Sequence, residues 1–181
     1  MTRLILIRHG ETVLGAQDRY AGHSDTPLTP RGRRQIVRLR RTLARLRPVR
    51  IYCSDLPRCR ETAALLFPGR TVAVTRRLRE IDFGRWEGRR RAEIRRTEGE
   101  VYRRWLEDPS RGRPPGGESV PELRRRVRRF ASDLARRHPR GTVVLVTHGG
   151  VIRALTLRDY ASWWSTPVPT AGVWTVEWPT A

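Results

Sequence analysis

The sequence predicts a three-layer α/β sandwich, in which a central, mostly parallel sheet carries helices on both faces. Short apolar runs of strand length, such as residues 4–7 and 142–146, alternate with longer stretches of helical periodicity. Strands that alternate with helices are typical of a parallel sheet covered on both sides. Because no repeat or change of composition divides the chain, we expect one domain over residues 1–181.

The first strand and helix have clear boundaries in the sequence. The apolar residues 4–7 predict a buried strand, followed by a loop that continues to about residue 27. Thr29 is a good N-cap and Pro30 suits the first helical position. We expect Pro48 to end this helix. Its buried stripe would consist of Ile36, Leu39, Leu43 and Leu46.

The middle of the chain contains weaker signals. Residues 49–53 predict a second strand, the turn at residues 54–57 leads into a helix that continues to Leu66, and residues 71–74 predict a minor strand. Residues 79–117 are rich in loop formers and leave room for one or two short helices. We expect the aromatic side chains of this region to pack or to contact a substrate.

The C-terminal part begins with a capping box formed by Ser119 and Glu122, which predicts the start of a long helix. Residues 142–146 give the clearest buried strand. A helix from residue 151 to about residue 160 follows. The alternation in residues 172–178 then predicts a last, half-exposed strand.

The composition is strongly basic, with a formal net charge of +20, and all 38 basic residues are arginines. A nucleic-acid-binding module is therefore one alternative function, because cations that neutralise phosphates dominate such binding. The arginines are scattered over nearly every predicted helix, which favours weak, nonspecific binding of polyanions instead. No apolar run reaches the length of a membrane span. We expect a cytoplasmic protein that does not bind membranes.

The cysteines and histidines do not indicate a metal site. Cys53 and Cys59 are six residues apart, which fits neither a disulfide framework nor the spacing of zinc ligands. The four histidines are dispersed along the chain. We therefore expect no metal and no cofactor.

Reactive side chains follow three of the predicted strands. Arg8 and His9 follow the first strand, Arg58 follows the second, and His148 and Gly149 follow the strand at residues 142–146. Ligands gather at the carboxyl ends of the strands in such sheets. Guanidinium groups and the backbone N–H group of a glycine bind phosphate oxygens, and a neutral histidine is a competent nucleophile. The sequence therefore predicts a phosphate site with two histidines.

Five motifs in matching order resemble those of the histidine phosphatase superfamily, which includes the cofactor-dependent phosphoglycerate mutases. The resemblance covers roughly residues 3–155. The motifs are RHGET at 8–12, GHSDTPLT at 22–29, SDLPR with TA at 54–63, LREIDFG with WEG at 78–88, and THGG at 147–150.

The resemblance implies roles for individual residues. His9 would be the residue that is phosphorylated, with Arg8, Arg58 and His148 around the phosphate and Gly149 beside it. Glu80 would protonate the leaving alcohol and later take a proton from water.

One position departs from the family pattern. Gly15 stands where the family usually has an asparagine that reaches towards the phosphate. Gln17 and Ser24 are candidates to replace this ligand. The alternative is that the protein binds the phosphate more weakly.

Within the family, the chain is most similar to the α-ribazole phosphatase type, as the run PGGES at 115–119 and the short length indicate. The resemblance therefore implies a phosphomonoesterase that acts on a small phosphorylated metabolite, with α-ribazole 5'-phosphate as a candidate. A cofactor-dependent phosphoglycerate mutase is the alternative within the family. Members of this type use no metal, and the sequence does not indicate an oligomeric state.

Overall fold

The computed structural model describes residues 1–180 and contains a five-stranded sheet with the strand order β3-β2-β4-β1-β5. The strands are β1 (Thr2–Arg8), β2 (Arg50–Ser54), β3 (Ala73–Thr75), β4 (Thr142–Thr147) and β5 (Val173–Trp178). The helices are α1 (Val13–Ala16), α2 (Pro30–Thr42), α3 (Pro57–Leu66), α4 (Arg91–Thr97), α5 (Gly99–Glu107), α6 (Val120–Arg137) and α7 (Gly149–Thr156). Within the described residues, β5 alone runs antiparallel to its neighbour, so the predicted mostly parallel sheet is confirmed.

Alternate residues of β1 belong to two separate hydrophobic cores. Leu4 and Leu6 lie in a core that includes apolar residues of α6 and α7, whereas Ile5 and Ile7 lie in a second core with residues of α2 and α3. Because successive side chains of a strand point to opposite faces, helices cover both faces of the sheet. The predicted three-layer arrangement is therefore confirmed.

The pairing of β1 with β4 brings two predicted site residues together. The two strands are parallel, and Arg8 is opposite Thr147 in the register. The backbone N–H of His9 donates to the carbonyl of Thr147 over 3.0 Å. His9 and His148 therefore leave adjacent strands at the same edge of the sheet.

Two helices end earlier than the sequence predicts. The helix α2 ends at Thr42, well before Pro48, because the chain tightens into turns in which Ala44 N–H donates to Arg41. The helix α7 ends at Thr156 rather than near residue 160. After this helix, the guanidinium of Arg124 donates hydrogen bonds to the carbonyl of Leu157 at 2.9 Å and to that of Arg158.

The loop regions contain more regular structure than predicted between the first strand and α2. The short helix α1 lies inside the predicted loop, where the side chain of its N-cap Thr12 accepts from the N–H of Gly15. The region 79–117 contains α4 and α5, in line with the expected short helices. Among residues 1–180, no helix has both the length and the apolar character to cross a bilayer.

The predicted capping box at the start of α6 is present and supports a pH-dependent contribution to stability. The backbone N–H of Ser119, its hydroxyl and Arg113 lower the pKa of Glu122 from 4.5 to about 2. Because the folded pKa is depressed, the stabilisation is present above pH 4.5 and is lost as the pH falls towards 2.

We predict that Glu122→Gln lowers the melting temperature at pH 6 and that the difference from wild type shrinks as the pH approaches about 2. Thermal unfolding followed by circular dichroism over this pH range measures the effect. Glu100→Gln, which removes an exposed carboxylate paired with Arg104, is the matched control. A difference that stays constant with pH would contradict the assigned role of Glu122.

Candidate active site

A cavity of about 320 Å³ lies at the carboxyl edge of β1 and β4. Four of the predicted site residues line it, namely Arg8, His9, Glu80 and Gly149. Ser24, Arg58 and His148 do not line this cavity. Further residues of the wall include Thr12, Gly15, Asp18, Arg19, Tyr20, Arg91, Tyr102, Leu106, Arg153, Trp163 and Trp164.

The imidazole of His9 is held in the tautomer that suits a nucleophile. Its Nδ1 lies 2.7 Å from the carbonyl oxygen of Gly10. Because a carbonyl only accepts, Nδ1 carries the proton and Nε2 keeps a free electron pair. Burial lowers the pKa of His9 well below 6.5, and the charges of Arg58 and Arg8 lower it further. His9 is therefore neutral at physiological pH.

His148 lies beside His9 and is also neutral. The two ring centroids are 5.2 Å apart in an edge-on arrangement. Burial lowers the pKa of His148 well below 6.5, and the charge of Arg58 acts in the same direction. Arg58 Nε donates to His148 Nδ1 at 3.2 Å, and Cys59 Sγ lies 3.4 Å from Nε2. These contacts place the proton of His148 on Nε2.

The guanidinium of Arg58 is fully buried behind the cavity and is bound mostly by backbone carbonyls. Its Nη1 donates to the carbonyl of Ser24 at 3.0 Å, and its Nη2 donates to those of Ala21 and Gly22 at 3.1 and 2.6 Å. With Nε on His148, most of its donors are occupied. In this structure Arg58 therefore fixes a loop and a histidine, and its role in binding a phosphate stays a prediction.

The carboxylate of Glu87 holds the same loop from the other side. Its oxygens accept from the backbone N–H groups of Gly22 at 3.1 Å, His23 at 2.8 Å and Ser24 at 3.1 Å. They also accept from Phe83 N–H at 3.0 Å and from the hydroxyl of Ser24. The position of the loop carbonyls that bind Arg58 therefore depends on Glu87, which the sequence reasoning did not select.

Glu80 lies against the N-terminus of α7, in the wall of the cavity. The N–H of Gly150 donates to both carboxylate oxygens, at 3.1 and 3.0 Å. A Cβ at residue 150 would collide with the carboxylate, so only glycine allows this approach. The carboxyl group of Glu80 is thereby fixed at the edge of the sheet that also presents His9.

The cavity is completed by residues that the sequence reasoning did not assign. Neither proposed replacement for the missing asparagine lines it, because the hydroxyl of Ser24 donates to Glu87 and the amide oxygen of Gln17 accepts from Arg19 at 3.1 Å. Arg19, Arg91 and Arg153 line the cavity instead. Arg153 follows Gly149 by four residues on α7, and this helical spacing was a usable signal.

The described residues contain no group of three or more His, Cys, Asp or Glu side chains that could hold a metal ion. The side chains of Cys53 and Cys59 are buried, and burial raises the pKa of both thiols, that of Cys53 to about 11. Neither thiol is therefore a ready nucleophile.

The chain resembles known phosphatases over nearly its whole length. The adenosylcobalamin/α-ribazole phosphatase of Salmonella typhimurium is 37% identical over 175 residues, which cover 95% of this chain and 83% of that protein. Phosphoserine phosphatase 1 of Hydrogenobacter thermophilus is 34% identical over 171 residues, covering 91% and 81% respectively.

Solved structures show the same fold. YhfR of Bacillus stearothermophilus has a TM-score of 0.91 and 33% sequence identity, with 98% of this chain and 91% of that chain covered. The family model described as "Histidine phosphatase superfamily (branch 1)" matches residues 4–180. Its match includes His9, His148, the strands β2 to β5 and β1 from Leu4 onwards. The chain therefore belongs to branch 1 of the histidine phosphatase superfamily.

Proposed function

We propose that the chain is a phosphomonoesterase that transfers a phosphoryl group from a small phosphorylated metabolite to Nε2 of His9 and then to water, without a metal ion. The observation that supports this proposal most directly is the state of His9. It is neutral, its Nδ1 proton is donated to Gly10, and it lies in the wall of a cavity lined by arginines.

In the first step, the electron pair of His9 Nε2 forms a bond to phosphorus while the P–O bond to the alcohol breaks. Glu80, in its protonated form, gives its proton to the leaving oxygen. Arg8 and the N–H groups at the start of α7, including that of Gly149, stabilise the charge on the phosphoryl oxygens.

In the second step, water attacks the phosphohistidine and the P–N bond breaks. Glu80, now a carboxylate, takes the proton from the water, which returns both groups to their starting states. Arg58 and His148 support His9 from behind, since Arg58 binds His148 and lies beside the loop at residues 21–24. Inorganic phosphate is the product.

The candidate substrate is α-ribazole 5'-phosphate, a phosphomonoester with a nucleoside-like base, because the Salmonella relative is named an adenosylcobalamin/α-ribazole phosphatase. Trp164 in the cavity wall is partly exposed and offers a surface for such a base, whereas Tyr102 and Trp163, which also line the cavity, are almost fully buried. Tyr20 lines the cavity but is also buried, and Trp86 is fully buried in the core and is not available for stacking. Weak polyanion binding and a cytoplasmic location stay predictions.

We predict that the wild-type protein releases inorganic phosphate from small phosphomonoesters in the presence of EDTA, and that His9→Ala abolishes this release. The reason is that the variant lacks the nitrogen that receives the phosphoryl group. A colorimetric phosphate assay on a panel that includes α-ribazole 5'-phosphate measures both proteins. Equal rates for the two proteins would contradict the proposed nucleophile, and complete inhibition by EDTA would contradict a metal-free reaction.

We predict that His9 and His148 are still neutral at pH 6.5, because burial lowers the pKa of both well below that value. Because the pKa of His9 is lowered, its imidazole is protonated and stops acting as a nucleophile only at lower pH. The fall of kcat/KM on the acid side should therefore lie below pH 6.5. Two-dimensional ¹H–¹⁵N NMR of the imidazoles, assigned with His9→Ala and His148→Ala, reports the tautomers directly. A proton on Nε2 of His9 in the free protein would contradict the proposal.

We predict that Glu87→Gln lowers kcat/KM about tenfold to a hundredfold while the protein stays folded, since small displacements of catalytic groups have effects of this size. The amide nitrogen of glutamine cannot accept the loop N–H groups, so the carbonyls that bind Arg58 shift. The control is Glu107→Gln, which removes an exposed carboxylate. Wild-type kinetics in both variants would show that the loop does not depend on Glu87.

A further inference from the structure

The cavity contains more positive charge than the transfer of one phosphoryl group accounts for. Its wall contains four arginines and two carboxylates, which gives a formal excess of two positive charges. One of these carboxylates, Glu80, is protonated in the proposed first step, so the formal excess is then three, one more than the roughly two negative charges of a phosphomonoester. The arginines are Arg8, Arg19, Arg91 and Arg153, and the second carboxylate is Asp18.

Arg153 is a poorly compensated cation of this wall. Its Nη2 donates to the carbonyl of Thr166 at 3.1 Å, but its Nε is buried and has no hydrogen-bond partner. Among the ion pairs of the described residues, none includes Arg153. Burial lowers its pKa, and the charge of Arg91 also lowers it, against the opposite effect of Glu80. Arg153 is partly buried, and a cation removed from water without a counterion is costly unless a ligand supplies one.

Arg8 and Arg153 approach the same point above Gly149. The ideal Cβ position at this glycine lies 3.4 Å from Arg153 Nη1 and 3.6 Å from Arg8 Cζ. The Nε of Arg8 is likewise buried without a partner. Burial lowers the pKa of Arg8, and the charge of Arg153 lowers it further. The two guanidiniums therefore lie close together at the start of α7, with unsatisfied donors on both.

Arg91 adds a cation at the open side of the cavity. Its side chain is about half exposed, its guanidinium lies 5.4 Å from the ring centre of Tyr20, and its Nε is 3.4 Å from Asp18. The backbone N–H of Arg91 also donates to the carbonyl of Asp18 at 3.2 Å. Arg91 is thereby held near the cavity, and its weak, exposed ion pair leaves it able to bind a ligand.

We propose that Arg153 and Arg91 form a second anion subsite, and that the preferred substrates are phosphomonoesters that carry a second anionic group, either a carboxylate or another phosphate. Arg8 and the N–H groups at the start of α7 hold the phosphoryl group beside His9. Arg153, also on α7, lies next to them. This inference rests on the proposed phosphomonoesterase function and favours acidic esters over α-ribazole 5'-phosphate.

The test compares pairs of esters that differ mainly in the second anion. Glycerol 3-phosphate and 3-phosphoglycerate test a carboxylate, and ribulose 5-phosphate and ribulose 1,5-bisphosphate test a phosphate. Phosphate release is measured at pH 7 and fixed ionic strength, with EDTA present. The proteins are wild type, Arg153→Met, Arg153→Lys and Arg91→Met. Arg41→Met, on the exposed surface of α2, removes the same charge away from the cavity.

We expect wild type to prefer the acidic member of at least one pair by about tenfold or more in kcat/KM, as a charge-assisted contact provides. Arg153→Met should remove this preference, while its kcat/KM for the ester without the second anion stays within about threefold of the wild-type value. Arg153→Lys should keep part of it, and Arg91→Met should reduce it. Arg41→Met should leave it unchanged. The pair that shows the preference identifies the second anion as carboxylate or phosphate.

Two results would overturn the inference and leave the proposed function intact. The first is a wild-type protein that hydrolyses the esters with and without the second anion equally well. The second is an equal loss on both members in Arg153→Met, which would assign Arg153 to the transferred phosphoryl group. Because Arg91 is exposed, Arg91→Met carries the same test if Arg153→Met does not fold. Absence of phosphate release from every ester would contradict the proposed function itself.

Discussion

The guanidinium of Arg58 is fully buried, and the carbonyls of Ala21, Gly22 and Ser24 are the partners that make its burial possible. A buried charge without such partners would destabilise the fold by several kcal/mol. The loop must therefore adopt one conformation, which Glu87 fixes through the loop N–H groups. Through its remaining contact with His148, Arg58 connects this loop to the end of β4.

The sheet gives the site its other half. Because β1 and β4 pair in parallel, the two histidines that follow them are brought together although they are 139 positions apart in the sequence. Burial beside two arginines keeps both imidazoles neutral, and the carbonyl of Gly10 selects the tautomer of His9. The same environment leaves the cavity positively charged, which suits an anionic substrate.

The layers, the strands and the residues at the strand ends could be predicted from the sequence, because apolar periodicity and the rule about carboxyl ends depend on local patterns. The roles of Arg58 and Glu87 within the structure could not, since their partners are backbone groups of a loop without periodicity. Arg19 and Arg91 were equally hidden among 38 basic residues. They reach the cavity because loops that are distant in sequence pair at Arg19 and Arg90.

The most direct test of this account is to mix the protein with a phosphomonoester, quench the reaction in alkali within milliseconds, and locate the phosphoryl group by ³¹P NMR and mass spectrometry of the peptides. Phosphohistidine survives alkali and is lost in acid. The account predicts one phosphoryl group, on Nε2 of His9. A phosphoryl group on another residue or on Nδ1 of His9, or phosphate release without any covalent intermediate, would contradict it.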